Sequence, residues 1–166
     1  MNRAVAAGAR FDSGSIDESA LVALAARLAP EVRSGGVIHL TGDLGAGKTT
    51  FARALLVALG IGDRIKSPTY SLIESYRAGA LDIHHLDLYR IADAGELEWL
   101  GLGDLWGAQA LMLIEWPERG GSALPRADLS LQLHHVGEKR ALSAIGLSAA
   151  GEALVAIWRA ASSSRE

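Results

Sequence analysis

Two periodicities divide this chain. Apolar residues three and four apart, as on one face of a helix, occur at Leu21, Leu24, Ala25 and Leu28, at Phe51, Ala54, Leu55, Ala58 and Leu59, and at Leu154, Ile157 and Trp158. Short unbroken apolar runs at Val37–Thr41 and Ala110–Ile114 predict strands buried on both faces. Alternation from Asp128 to His134, and less cleanly from Ala141 to Leu147, predicts a hairpin turning at Gly137–Lys139. A second hairpin is expected from Tyr70–Tyr76 and Leu81–Asp87, joined across Arg77–Ala80. Ser15 and Glu18 form a capping-box pattern ahead of the first helix, which Pro30 stops; Gly60 ends the second. Asp93 and Glu96 open a short helix into Leu97 and Leu100, and Ser148 opens the last one. Residues 1–14 show no period and are expected to be a flexible tail, with one domain over 15–160 and a frayed, serine-rich end over 161–166. Helices interleaved with buried strands predict an α/β fold, a three-layer sandwich around a largely parallel central sheet with antiparallel hairpin additions.

Composition narrows the classes. At 166 residues, with 49 % apolar and 21 % charged, the chain is globular and long enough to fold as one domain without staples. A net charge of −3 supplies no global basic field for holding nucleic acid directly. Without cysteine there is no disulfide framework, thiolate zinc site or cysteine nucleophile. No apolar run nears the roughly 18 residues of a membrane span, and the N-terminus is too weakly apolar for a secretory signal. A soluble protein, cytoplasmic and without a membrane role, is expected.

The chemistry concentrates after the first buried strand. Gly42-Asp-Leu-Gly-Ala-Gly47-Lys48-Thr49 fits G-x-x-x-x-G-K-[ST] at every fixed position. In a chain with this glycine and lysine content such a match arises by chance about 0.4 % of the time. The spacing has a physical reason. Successive backbone N–H groups curl round a phosphate, and glycines permit the positive φ values of the curl. The following helix turns its positive end to the same anion. Lys48 is expected to bridge the β- and γ-phosphates, and Thr49 to offer its hydroxyl to Mg²⁺.

Such a loop needs an acid nearby, and two acids end strand-like runs: Glu115 after Ala110–Ile114, and Asp87 after Leu81–Leu86. Glu96 and Glu98 read as a solvated helix face. Thr69, in Ser67-Pro-Thr-Tyr70, is placed where a switch loop could sense a γ-phosphate. Guanine recognition through N-K-x-D is impossible, because Asn2 is the only asparagine; Asp104–Gly107 matches D-x-x-G without a preceding apolar strand. ATP is the expected nucleotide. An LSGGQ-type helper motif is absent. His84-His85 and His134-His135 are poor chelators, since adjacent strand residues point to opposite faces.

Taken together, Gly42–Thr50 (GDLGAGKTT), Ser67–Tyr70 (SPTY), Leu86–Arg90 (LDLYR), Glu96–Gly101 (ELEWLG) and Leu113–Pro117 (LIEWP) resemble the TsaE (YjeE) family, bacterial ATPases of tRNA threonylcarbamoyladenosine synthesis. The resemblance runs from about residue 15 to 155 and is only outline after Pro125, apart from Arg140. It implies a P-loop NTPase-like fold and a Mg²⁺-dependent ATPase that supports the TsaD and TsaB proteins. TsaD transfers threonylcarbamoyl to N6 of adenosine 37, so tRNA would be met indirectly, through the complex. Carried over by position, the resemblance implies that Lys48, Asp87 and Glu115 are catalytic, with Asp87 at the γ-phosphate or its water. It gives Thr49 and Glu115 to Mg²⁺. It implies that Asp43, Leu44, Gly45, Ala46, Gly47, Lys48, Thr49, Thr50, Thr69, Trp116 and Arg140 surround the nucleotide. Two alternatives stand beside it. A small-molecule kinase would want an arginine-rich lid, to which Arg119 and Arg126 are the nearest approach; a non-hydrolysing module would signal by ordering Ser67–Tyr70.

Overall fold

In the computed structural model, which describes residues 8–68, 70–105, 107 and 109–164, the strands are β1 (Arg10–Ile16), β2 (Gly36–Gly42), β3 (Ile73–Ala78), β4 (Leu81–Asp87), β5 (Ala110–Glu115), β6 (Leu129–Val136) and β7 (Lys139–Gly146). The helices are α1 (Glu18–Leu28), α2 (Lys48–Ala58), α3 (Gly95–Trp99) and α4 (Ala149–Ser163). All seven strands join one sheet in the order β1-β7-β6-β2-β5-β4-β3. Its centre is parallel: β2 pairs with β5 and β6, and β4 with β5. Each edge is an antiparallel addition, β3 on β4 at one side and β6–β7–β1 at the other. Both expected hairpins form, with tight turns at Gly79-Ala80 and Gly137-Glu138.

The two faces of the sheet are covered unequally. Leu111 and Leu113 of β5 and Ile38 and Leu40 of β2 bury under α1, α2 and α4, because alternate residues of a strand point the same way. Met112, Ile114 and Leu86 point to the opposite face, which α3 and short 3₁₀ turns cover through Leu97 and Leu102. The second layer is thus much thinner than a full sandwich, since the chain there is too rich in glycine and aspartate to extend a helix. Trp158 knits the thick side together. It is fully buried, its Nε1 donates to the Leu24 carbonyl at 2.9 Å, and its ring lies 5.3 Å from Phe11 and 6.3 Å from Phe51.

Parallel pairing also aligns strand ends. Glu115 stands opposite Leu40 on one side and Asp87 on the other, so β2, β5 and β4 release their chains at one edge of the sheet. Open α/β sheets bind ligands at that carboxyl edge.

Several expectations change. Residues 10–14 of the expected tail belong to β1, whose polar sequence is held by main-chain pairing to β7, with Phe11 and Ile16 turned toward the core. Residues 1–7 lie outside the described chain. Ser15 is part of that strand, so the cap of α1 is Asp17, which accepts from the Ala20 N–H at 2.8 Å. Strand β3 begins at Ile73, not Tyr70, because the chain turns first: Leu72 N–H donates to the Pro68 carbonyl, and Leu72 takes a left-handed φ of 70°. The serine-rich end remains helical through Ser163, with Ser162 and Ser163 hydroxyls bonding back to the carbonyls of Trp158 and Arg159.

Trp158→Ala removes the contact shared by α4, α1, α2 and β1. The expected loss is about 3–5 kcal/mol of unfolding free energy, read as a lower urea midpoint at unchanged slope.

Candidate functional site

The glycine loop is held open by sterics as much as by dihedral freedom. At Gly42 a Cβ would sit 2.1 Å from the Leu133 carbonyl oxygen, so no other residue fits where β2 runs beside β6. Gly47 has φ 116°, and a Cβ there would meet Arg140 Nη1 at 2.8 Å and Leu21 Cδ2 at 3.0 Å. Gly47 caps α2 without a side-chain partner for the helix's first N–H groups. Those donors and the helix dipole together favour an anion.

Lys48 closes the loop on itself. Its Nζ donates to the Gly42 and Asp43 carbonyls at 2.6 and 2.8 Å and lies 4.3 Å from the centre of the Trp116 ring. Burial lowers its pKa from the ordinary lysine value, while Glu115 and other nearby acids act in the opposite direction. Trp116 meets the lysine because the chain leaves β5 in a left-handed turn at φ 57°, with the Trp116 N–H donating to the Leu40 carbonyl at 3.2 Å.

Glu115 is 2 % exposed and answered from two sides. The Thr49 hydroxyl donates to its Oε1 at 2.7 Å, and His85 Nε2 lies 2.6 Å from its Oε2. Asp87 ends the neighbouring strand and accepts the Tyr89 N–H at 3.0 Å. Burial pushes the Asp87 pKa above the usual carboxylate value; the Tyr89 bond opposes this and Glu115 adds to it. The Asp87 N–H donates to the Leu72 carbonyl at 3.0 Å, tying the turn after Ser67-Pro68 to the acid's own backbone.

A cleft of about 340 Å³ opens over these groups. Of the residues expected at the site, Leu44, Gly45, Gly47, Lys48, Thr49, Thr50, Asp87, Glu115 and Trp116 all border it. Ala46 is buried in the core, and Asp43 turns its side chain to solvent, leaving a carbonyl to Lys48. Arg140 stands behind Gly47 rather than in the cleft wall. Thr69 lies outside the described residues. The exposed Glu96 and Glu98 are absent from the cleft wall.

Three contributors escaped the sequence reading. Tyr89 and Arg90 line the cleft; the Tyr89 ring is 5.0 Å from Trp116, and the Arg90 guanidinium stacks 4.9 Å over Tyr70. His85 is wholly buried against Glu115. The signal for it was present: strand alternation puts His85 on the same face as Asp87, so its partner was to be sought among acids on a neighbouring strand rather than in His84. His84 instead meets Ser75 Oγ at 2.8 Å.

The donor set fits a hard cation shared with a phosphate. A hydroxyl and a carboxylate supply oxygens, while the described residues hold no cluster of three or more His, Cys, Asp or Glu that would cage an ion alone. Magnesium characteristically takes one or two protein oxygens and completes its shell with water and phosphate.

The Asp87 shift has a definite sign. A carboxyl whose folded pKa is raised costs stability above that pKa, and the cost fades as pH falls toward the unfolded value. Asp87→Asn keeps an acceptor for Tyr89 and removes the charge. Thermal unfolding without ligand should therefore show the variant to be the more stable at pH 8, with the difference closing as pH is lowered toward 4.

Comparison with known proteins identifies the family of the chain. The family model described as "Threonylcarbamoyl adenosine biosynthesis protein TsaE" matches residues 15–142. A Haemophilus influenzae protein named tRNA threonylcarbamoyladenosine biosynthesis protein TsaE is 39 % identical over 122 residues, 74 % of this chain and 77 % of that one. The protein of that name from Bacillus subtilis is 38 % identical over 116 residues, covering 70 % and 72 %. The crystal structure of Bacillus subtilis YdiB superposes with a TM-score of 0.75 at 27 % identity, over 93 % of this chain and 97 % of that one. With a family match over most of its length, two relatives above 35 % identity and a shared fold, the chain belongs to the TsaE family.

Proposed function

We propose that this chain is a P-loop NTPase that binds ATP with Mg²⁺ in the 42–49 loop and hydrolyses it in support of the machinery that makes threonylcarbamoyladenosine in tRNA. The observation that carries the proposal is the contact of the Thr49 hydroxyl with Glu115, at the mouth of a glycine loop that also holds a nearly buried lysine. Lys48 would exchange its two carbonyls for phosphate oxygens, and α2 would present its free N–H groups to the same charge. Thr49 and Glu115 would hold the magnesium, whose role is to neutralise charge on the departing phosphate. Asp87, beside Glu115 at the strand ends, would orient a water for in-line attack. Family relationship supports TsaD and TsaB as the partners and the cytoplasm as the place of work. Among the described residues no helix is long and apolar enough to cross a membrane.

The turn from Ser67 to Leu72 couples naturally to this site. Its Leu72 carbonyl is bonded to the Asp87 N–H and its Tyr70 ring stacks against Arg90, so a nucleotide that fixes Asp87 also favours one arrangement of these two residues. We take this as the face that the partners recognise.

The products decide the chemistry: ADP and inorganic phosphate are expected, where a phosphorylated acceptor would mark a kinase and no turnover a binding module. The assay includes TsaD and TsaB, so that partner-dependent turnover is captured. Lys48→Ala should cost about 2–4 kcal/mol of transition-state stabilisation and much of the nucleotide binding. Glu115→Gln should retain nucleotide and lose Mg²⁺-dependent phosphate release; equal rates would remove Glu115 from the mechanism.

Partner capture tests the coupling. Immobilised protein is expected to retain TsaD and TsaB more tightly with a non-hydrolysable ATP analogue than with ADP, and equal dissociation constants would count against a switch.

A further inference from the structure

We infer that His85 is a positioning residue for Glu115 and that its Nε2 bond sets how tightly the site holds magnesium. The inference rests on the Mg-nucleotide reading above. Glu115 has two oxygens and two anchors from different elements: Thr49 on α2 holds Oε1 and His85 on β4 holds Oε2. One bond would leave the carboxylate free to turn about its terminal torsion, which is broad for glutamate. Two bonds fix both oxygens, and with them the lone pairs that remain for an ion or its water.

Packing alone does not account for an imidazole at this place. The ring is fully buried, Nδ1 has no hydrogen-bond partner among the described residues, and Ile83 and Leu113 are its apolar neighbours along and across the strands. A leucine would fill comparable space without stranding a nitrogen. The polar atom that does have a partner is directed at Glu115. A carboxylate accepts only, so the ring donates to it through Nε2–H. The strand register explains the reach: His85 stands opposite Leu113 and Asp87 opposite Glu115, so the ring extends diagonally to the next position on the same face. Groups that hydrogen-bond a metal's ligands typically cost about 10–100-fold in metal affinity when removed.

Two amide variants separate the bond from the shape. In His85→Gln the side-chain Nε2 lies as many bonds from Cα as the imidazole Nε2, so it can still donate to Glu115. In His85→Asn the amide nitrogen falls at the position of Nδ1, which has no partner to offer among the described residues. The measurement is binding of fluorescent mant-ADP as Mg²⁺ is titrated, with a parallel titration in EDTA and a thermal melt of each protein. The Asn variant is expected to need at least ten-fold more Mg²⁺ for half-saturation, with its affinity in EDTA unchanged. The Gln variant should stay within about three-fold of the original protein. A Mg²⁺ requirement unchanged in the Asn variant, or raised equally in both variants, overturns the assignment of His85 while leaving the functional reading intact. If the original protein binds no nucleotide in the presence of Mg²⁺, that reading falls and the inference with it.

Discussion

A carboxylate placed almost wholly out of water must have its charge answered by fixed groups, and Glu115 is the point at which this fold meets that demand. Its partners come from the helix after β2 and from the strand beside β5, so the bonds hold only if β2, β4 and β5 end at the same level. Parallel pairing supplies that level. The unpartnered cost of the acid thereby acts on long-range structure: slipping β4 by one residue would turn His85 to the other face of the sheet. The same three strand ends deliver the glycine loop, the buried acid and Asp87 to one edge, where Leu133 of β6 and Arg140 of β7 flank the loop and the turn before β3 is bonded to Asp87.

The glycine loop is braced from within. Lys48 satisfies two carbonyls that would otherwise lie beside its charge, and the indole of Trp116 covers the ammonium. An incoming anion therefore replaces existing bonds instead of making new ones from nothing, so net affinity is a difference between two well-formed arrangements. The loop gains from this a defined shape before ligand arrives, because the lysine braces the curl that the glycines make possible.

What could be read from the chain was what is local. The buried runs at β2 and β5, the glycine spacing and the acids ending β4 and β5 are each carried by a few consecutive residues, and those elements formed as expected. What failed was what depends on a distant partner. Strand β1 reads as tail because its residues are mostly polar and its order comes from pairing with β7, more than a hundred positions away. Ser15 was a plausible cap until the strand claimed it and passed the role to Asp17. His85 looked like half of an ineffective chelating pair, and only the neighbouring strand turns it into the partner of an acid. Leu72 gave no sign of its left-handed turn, since leucine is a residue that disfavours that region.

The bond from the Asp87 N–H to the Leu72 carbonyl joins two peptide groups, and peptide groups are the same at every position of every chain. A connection made this way is indifferent to mutation of the side chains at either end, short of a proline at 87 that removes the donor. Over evolutionary time the turn is therefore at liberty to change its exposed vocabulary, as it would while following a drifting binding partner. Its mechanical attachment to the acid persists through those changes, because no side chain carries it.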